Sequence, residues 1–169
     1  YEMGIGFIPE SRREESLFLD KSVRFNLVIE VLSQFIHGFS VNFAKEREIT
    51  DTYIKKLTIK TANDEVSIKN LSGGNQQKVV ISRWLATSPK ILIMDEPTRG
   101  IDVGAKAEIY ALMNELVKQG LAIIMISSEL PEIINMSDRV IVMKDGSVTK
   151  ELHREEISQE TIMRYAVDL

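Results

Sequence analysis

Apolar positions along the chain switch between two spacings, and the switches mark its elements. Two unbroken apolar runs predict parallel strands buried on both faces. They are Ile91-Leu92-Ile93-Met94, ended by Asp95-Glu96-Pro97, and residues 121–126, which enter Ser127-Ser128. A shorter run from Ile5 to Ile8, within residues 1–9, predicts a third strand ended by Pro9. Helical spacing appears in four places. Phe25, Val28, Ile29 and Leu32 follow the capping residue Ser22 and predict a helix over 22–35. Ile49, Tyr53, Ile54 and Leu57 predict one over 45–57. Val80, Ile81, Trp84 and Leu85 predict one over 74–88, stopped by Pro89, with Trp84 in the core rather than on a ligand. Ile109, Leu112, Met113, Leu116 and Val117 predict one over 102–119, stopped by Gly120. Residues 37–44 read as a loose stretch and 61–70 as a polar, mobile loop. Residues 129–135 and 158–167 predict short helices, the second capped by Ser158. The segments 139–143 and 147–152 form a hairpin around Lys144-Asp145-Gly146. Strand, helix, strand over 91–126 is the rhythm of a parallel crossover, so the fold class is α/β.

Candidate chemistry concentrates between residues 71 and 96. Ser72 can cap the following helix, and Gly73 and Gly74 let backbone approach an anion without a Cβ in the way. The first-turn N–H groups and the helix dipole then favour negative charge. Asp95 and Glu96 stand where a parallel strand ends, the side of an α/β sheet on which ligands bind. On an extended backbone the two carboxylates point to opposite faces. One, Asp95, suits a Mg²⁺ held through water; the other, Glu96, suits orienting or deprotonating an attacking water. Taken singly, Ser-Gly-Gly is compatible with an ordinary capped turn, and Asp-Glu with a strand ended by solvated acids.

Composition narrows the classes. The 169 residues, 44% hydrophobic, supply one domain with a core. A formal net charge of −4 gives no basic surface for nucleic acid or anionic lipid. The absence of cysteine excludes disulfides and thiolate metal sites, and fits a reducing compartment. Two separated histidines, His37 and His153, do not make a metal site. No secretory pattern opens the chain, and no apolar run reaches the roughly 20 residues that span a bilayer. A membrane role therefore requires a partner protein.

The combination of motifs resembles the ATP-binding cassette ATPases. Leu71-Ser72-Gly73-Gly74-Asn75-Gln76-Gln77-Lys78 matches the signature, Ile91 to Pro97 the Walker B strand, and Thr98-Arg99-Gly100-Ile101-Asp102 the D-loop. With Ser127-Ser128-Glu129-Leu130-Pro131-Glu132, the resemblance is to the second cassette of bacterial sugar-importer ATPases of the ribose, galactose and xylose type. It implies a partial P-loop NTPase: a parallel sheet core (1–10 and 89–169), a helical signature subdomain (11–88) and a C-terminal hairpin. Together these make one incomplete domain over 1–169. It also implies ATP and Mg²⁺ as cofactors, and transmembrane permease subunits docking on the helical subdomain. A partner cassette, an indirectly linked solute-binding protein and a peripheral place on the cytoplasmic face of the membrane complete the set. Ser72, Gly73, Gly74 and Gln76 would reach the γ-phosphate of a nucleotide on the partner, and Asp102 would belong to the D-loop contacts. Asp95, Glu96, Glu10 and Ser128 would serve the chain's own site.

Three departures qualify that expectation. Glu10 stands where cassettes carry a glutamine that touches metal and water, and a carboxylate cannot donate a hydrogen bond. Ser128 stands where they carry a switch histidine, and a hydroxyl reaches less far and carries no charge. No Gly-x-x-x-x-Gly-Lys-Ser/Thr phosphate loop occurs among the nine glycines. The 169 residues alone are therefore expected neither to hydrolyse ATP nor to bind it tightly, and to self-associate through an unpaired sheet edge. A non-catalytic regulatory cassette is the alternative. A DNA-repair cassette ATPase is a weaker one, since neither heptads nor a basic stripe appear.

Overall fold

A computed structural model describes residues 3–38 and 40–167. Tyr1 and Glu2, which head the first apolar run, and Phe39, inside the stretch 37–44, lie outside them. Contacts group the chain into two units, residues 1–126 and 127–169.

The first unit is built on a three-stranded parallel sheet of β1 (Ile5–Ile8), β4 (Ile91–Asp95) and β5 (Ala122–Ile126), with β4 in the middle. Ile8 is in register with Met94, and Asp95 with Ile126. The strands therefore end together, and their following loops start from one end of the sheet. Between β1 and β4 come α1 (Val23–Val28), a small ribbon of β2 (Ile36–His37) and β3 (Ser40–Val41), α2 (Phe43–Lys56) and α3 (Gly73–Leu85). The crossover from β4 to β5 is α4 (Val103–Lys118), followed by Gly120 at φ +93°. That left-handed residue is the expected helix stop.

One face of the sheet, carrying Gly6, Ile8, Leu92 and Met94, is buried. A methyl on Gly6 would come within 2.9 Å of Leu92 and 3.2 Å of the Trp84 ring, so glycine there lets α3 lie close on β1. The other face leaves Phe7 45%, Ile124 52% and Ile126 49% exposed. Burial on both faces, expected from the continuous apolar runs, is thus met on one face only among the described residues.

The helix expected over 22–35 is broken. Ser22 Oγ accepts from Phe25 N at 3.1 Å and starts α1 as expected. At Val31 (φ −121°, ψ 23°) the backbone leaves helical geometry within a tighter 3₁₀ stretch, Ile29–Gln34. The inward stripe is Val23, Leu27, Val28 and Val31 together with the polar Asn26, while Phe25 is only half-buried and Leu32 is exposed. Asn26 is tolerated inside because every polar end is used: Nδ2 donates to Phe18 O and Ser22 O at 3.0 Å, and Oδ1 accepts from Phe18 N at 2.9 Å. The loop 61–70, expected to be mobile, is instead tied to the start of α1. Val23 N donates to Val66 O and Arg24 N to Asp64 O, both at 2.9 Å, and Ile68 is fully buried.

The second unit holds α5 (Leu130–Met136), the antiparallel pair β6 (Arg139–Lys144) and β7 (Ser147–His153), and α6 (Gln159–Ala166). Its core is Val140, Val142, Leu152 and Ile162. Asp145 (φ +48°) and Gly146 (φ +77°) form the two-residue turn with both central residues left-handed, as predicted. Ser158 Oγ caps α6 by accepting from Thr161 N at 3.1 Å.

Candidate functional site

Parallel pairing brings the end of β1 and the end of β4 to one side, so Glu10 and the acids Asp95 and Glu96 leave the sheet there. Glu96 does not continue the strand. It sits at φ +45° with its N–H donating to Ile126 O at 2.9 Å, a left-handed conformation that costs about 1–3 kcal/mol in a residue with a Cβ. The expectation that Asp95 and Glu96 alternate on an extended backbone therefore fails; a turn at Glu96 aims the second carboxylate. The loop that follows buries Thr98 and Ile101, passes through Gly100 at φ +65°, and enters α4. Asp102 caps that helix, its Oδ1 accepting from Ala105 N at 2.9 Å.

Onto this loop α3 brings its N-terminus. Ser72 Oγ accepts from Asn75 N at 3.5 Å and Asn75 Nδ2 at 2.9 Å, which confirms the cap. Ser72 is exposed, Gly73 half-buried and Gly74 buried. The two glycines also have protein close by. A Cβ on Gly74 would stand 2.6 Å from the Ala105 methyl, and one on Gly73 would stand 2.7 Å from Arg12 Nη2 and 3.3 Å from Gly100 O. At both positions protein stands where a Cβ would go, backbone-fixed at Gly74 and in part the movable end of Arg12 at Gly73. The side chain of Gln76, expected to reach a phosphate, is turned inward and fully buried. Its Nε2 donates to Ile68 O at 3.1 Å and Leu71 O at 3.2 Å, and its Oε1 accepts from Arg12 Nε at 3.5 Å. It braces the loop before Ser72 instead.

Glu10 is ion-paired with Arg99. Among the described residues no group of three or more His, Asp or Glu could hold a metal by itself. Mg²⁺ takes one or two carboxylates and leaves its remaining positions to water and phosphate. Asp95, half-buried at the strand end, fits such a role better than Glu10, whose carboxylate already neutralises Arg99. Ser128 belongs to the second unit, where it is exposed. Its neighbour Ser127 does not cap α5, whose N-cap Glu129 has no side-chain cap bond, but it ties the approach to that helix: Oγ accepts from Glu129 N at 3.0 Å and donates to Glu132.

Three cations that sequence patterning did not single out tie α3 to its surroundings. Arg12 donates to Arg99 O at 2.8 Å and Gly100 O at 3.1 Å. Burial, and then the proximity of Arg13, lowers its pKa, though a guanidinium stays charged near neutral pH. Lys78, buried in α3, reaches Glu108 of α4 at 2.7 Å and Thr58 O at 3.3 Å. That hydrogen bond, and then the charges of Lys78 and Lys60, hold the Glu108 carboxyl below its usual range. Arg83, also buried, donates to Ser16 O at 2.5 Å, to Asn26 O at 2.6 Å and to Asn26 Oδ1 at 3.1 Å. The one available signal was a cation among the apolar positions of a helix, as Arg83 stands between Ile81 and Leu85.

A capped helix start and a turned acid at a parallel strand end meet on one loop, the arrangement of parts expected of the ATP-binding cassettes. Residues 2–99 match the profile of the family described as ABC transporter, and the chain belongs to that family. Among curated relatives it is 55% identical over 163 residues to the ribose import ATP-binding protein RbsA of Bacillus subtilis (strain 168), and 52% identical over 167 residues to that of Clostridium tetani (strain Massachusetts / E88). These alignments cover 96% and 98% of the chain but 33% of each relative, so it spans about a third of their length. Among solved structures, cbiO1 from Clostridium perfringens, part of the ABC transporter complex cbiONQ, superposes with TM-score 0.75 at 25% identity. That match covers 95% of this chain and 61% of the other. MJ1267, an ATP-binding cassette of an ABC transporter solved in its ADP conformation, gives TM-score 0.73 at 26% identity, covering 93% and 64%.

Proposed function

We propose that the chain is part of the ATP-hydrolysing subunit of an importer for ribose or a chemically related sugar, working on the cytoplasmic face of a membrane with permease subunits. The observation that carries this is the meeting of the Ser72–Gly73 helix start with the loop 99–102 at the end of the sheet where Asp95 and Glu96 emerge. High identity to ribose import proteins supports the substrate class.

In this reading Ser72 Oγ and the first-turn N–H groups of α3 face the terminal phosphate of a nucleotide seated on a partner cassette. Gln76 supports that surface from beneath rather than touching the ligand. Glu96, aimed by its left-handed backbone, orients or deprotonates the attacking water, and Asp95 holds Mg²⁺ through water. When bound, Mg²⁺ would supply neutralisation of charge on the phosphates. Glu10, occupied by Arg99, favours a second reading for the chain's own half: a site that binds nucleotide and regulates more than it turns over.

The test uses the full-length protein assembled with its permease in vesicles. Magnesium-dependent ATP hydrolysis coupled to ribose uptake, with hydrolysis falling about a hundredfold or more in Glu96→Gln if this acid serves the active site, supports the first reading. Hydrolysis that survives Glu96→Gln but loses its response to sugar supports the regulatory one. Absence of both hydrolysis and uptake refutes each. The 169 residues by themselves should not turn over ATP, and with Phe7, Ile124 and Ile126 exposed they should associate in light scattering.

A further inference from the structure

Three segments far apart in the chain meet at a single side chain. Arg12 lies 64 residues from Gln76, 87 from Arg99 and 88 from Gly100 in sequence, and its guanidinium donates to all three. Nη1 and Nη2 take adjacent carbonyls of the loop after β4, while Nε takes the amide oxygen of Gln76. Gln76 passes the constraint on, since its own Nε2 holds Leu71 O, immediately before the capping Ser72. The head group also lies over Gly73, closely enough that a methyl there would collide with Nη2 at 2.7 Å. A planar fork with donors in fixed directions can meet two successive carbonyls; a single ammonium cannot hold the same geometry. Next to it the Glu10–Arg99 ion pair ties the same two segments, but through exposed groups whose attraction is screened.

We propose that Arg12 is a positioning residue, a clamp that sets the loop 99–102 and the start of α3 in one fixed geometry so that the Ser72 surface and the Asp95–Glu96 acids act together. The role rests on the ATPase reading above. Arg12 acts through the backbone it holds, and Gly73 is glycine because the clamp passes across it.

Two measurements on the full-length protein test this, and they fail separately. Hydrogen exchange of amides 98–102 and 71–76 reads the clamp without reference to catalysis. Arg12→Met should speed that exchange about tenfold or more, since hydrogen bonds from a charged donor are lost. Turnover reads the consequence: kcat for ATP should fall about tenfold to a hundredfold with KM for ATP little changed, as for misplacement rather than lost binding. Arg12→Lys should not rescue either readout. Gly73→Ala should displace the guanidinium and reproduce Arg12→Met, and the double variant should be no worse than either single one.

Unchanged exchange in Arg12→Met overturns the proposal. So does faster exchange with full kcat, and so does full rescue by Arg12→Lys, which would mean that only charge is needed. If the wild-type protein hydrolyses no ATP, the ATPase reading falls, and the clamp is then judged on exchange and on the Gly73→Ala double variant alone.

Discussion

Replacing Gly74 by alanine separates packing from ligand approach at the helix start. The added Cβ would stand 2.6 Å from the Ala105 Cβ, 0.8 Å short of the 3.4 Å at which ordinary contact begins, with Ile101 Cγ2 at 3.8 Å on another side. Both α3 and the first turn of α4 are backbone-fixed there, so the strain cannot escape along a flexible side chain. Overpacking of this kind costs about 1–3 kcal/mol, and the better helix propensity of alanine offsets about 0.5–1 kcal/mol of it. A net loss of about 1–2 kcal/mol should lower Tm by about 2–8 °C in a domain of this size. Ala105→Gly alone should cost about 1 kcal/mol through helix propensity. The double variant moves the methyl from one helix to the other and should return to within about 0.5 kcal/mol of wild type. Thermal unfolding by circular dichroism of the four proteins gives the coupling directly, and ATP turnover of the full-length protein gives a second arm. If stability is restored but turnover is not, Gly74 must be bare for the ligand's sake. If the double variant is as unstable as the sum of the singles, the packing argument is refuted.

Arg83→Met should destabilise by about 2–4 kcal/mol in urea denaturation, because the buried carbonyls of Ser16 and Asn26 and the Asn26 Oδ1, which keeps Phe18 N, each lose a charged donor; a change below about 1 kcal/mol would show that they find other partners. Glu108 has a folded pKa below its unfolded one, so its contribution is present above the ordinary glutamate range and disappears as pH falls through the folded value. The stability gap between wild type and Glu108→Gln should accordingly be open at neutral pH and close in acid, and a gap independent of pH in Tm measurements would contradict it. Ile124→Lys places a charge on the open sheet face and should reduce association of the 169-residue chain in light scattering; undiminished association would locate the contact elsewhere.

Where the signal is local, the amino-acid sequence by itself determined the outcome. Ser22, Ser72, Asp102 and Ser158 cap the helices they precede, because a cap is made with an N–H three residues on. Asp145-Gly146 makes its turn because few other pairs accept two left-handed residues. The apolar runs make strands, and a signature, a Walker B strand and a D-loop in order were enough to name the family. Tertiary structure alone decided what each site residue touches. Gln76 turns inward, Glu10 meets Arg99, Gly73 and Gly74 have protein where a Cβ would stand, and Arg12 joins segments nearly ninety residues apart. Such pairings leave no trace in local spacing. A donor finds its acceptor through the packing of α3 onto the sheet and onto α4, and only once that packing exists is there a reason for an arginine at position 12.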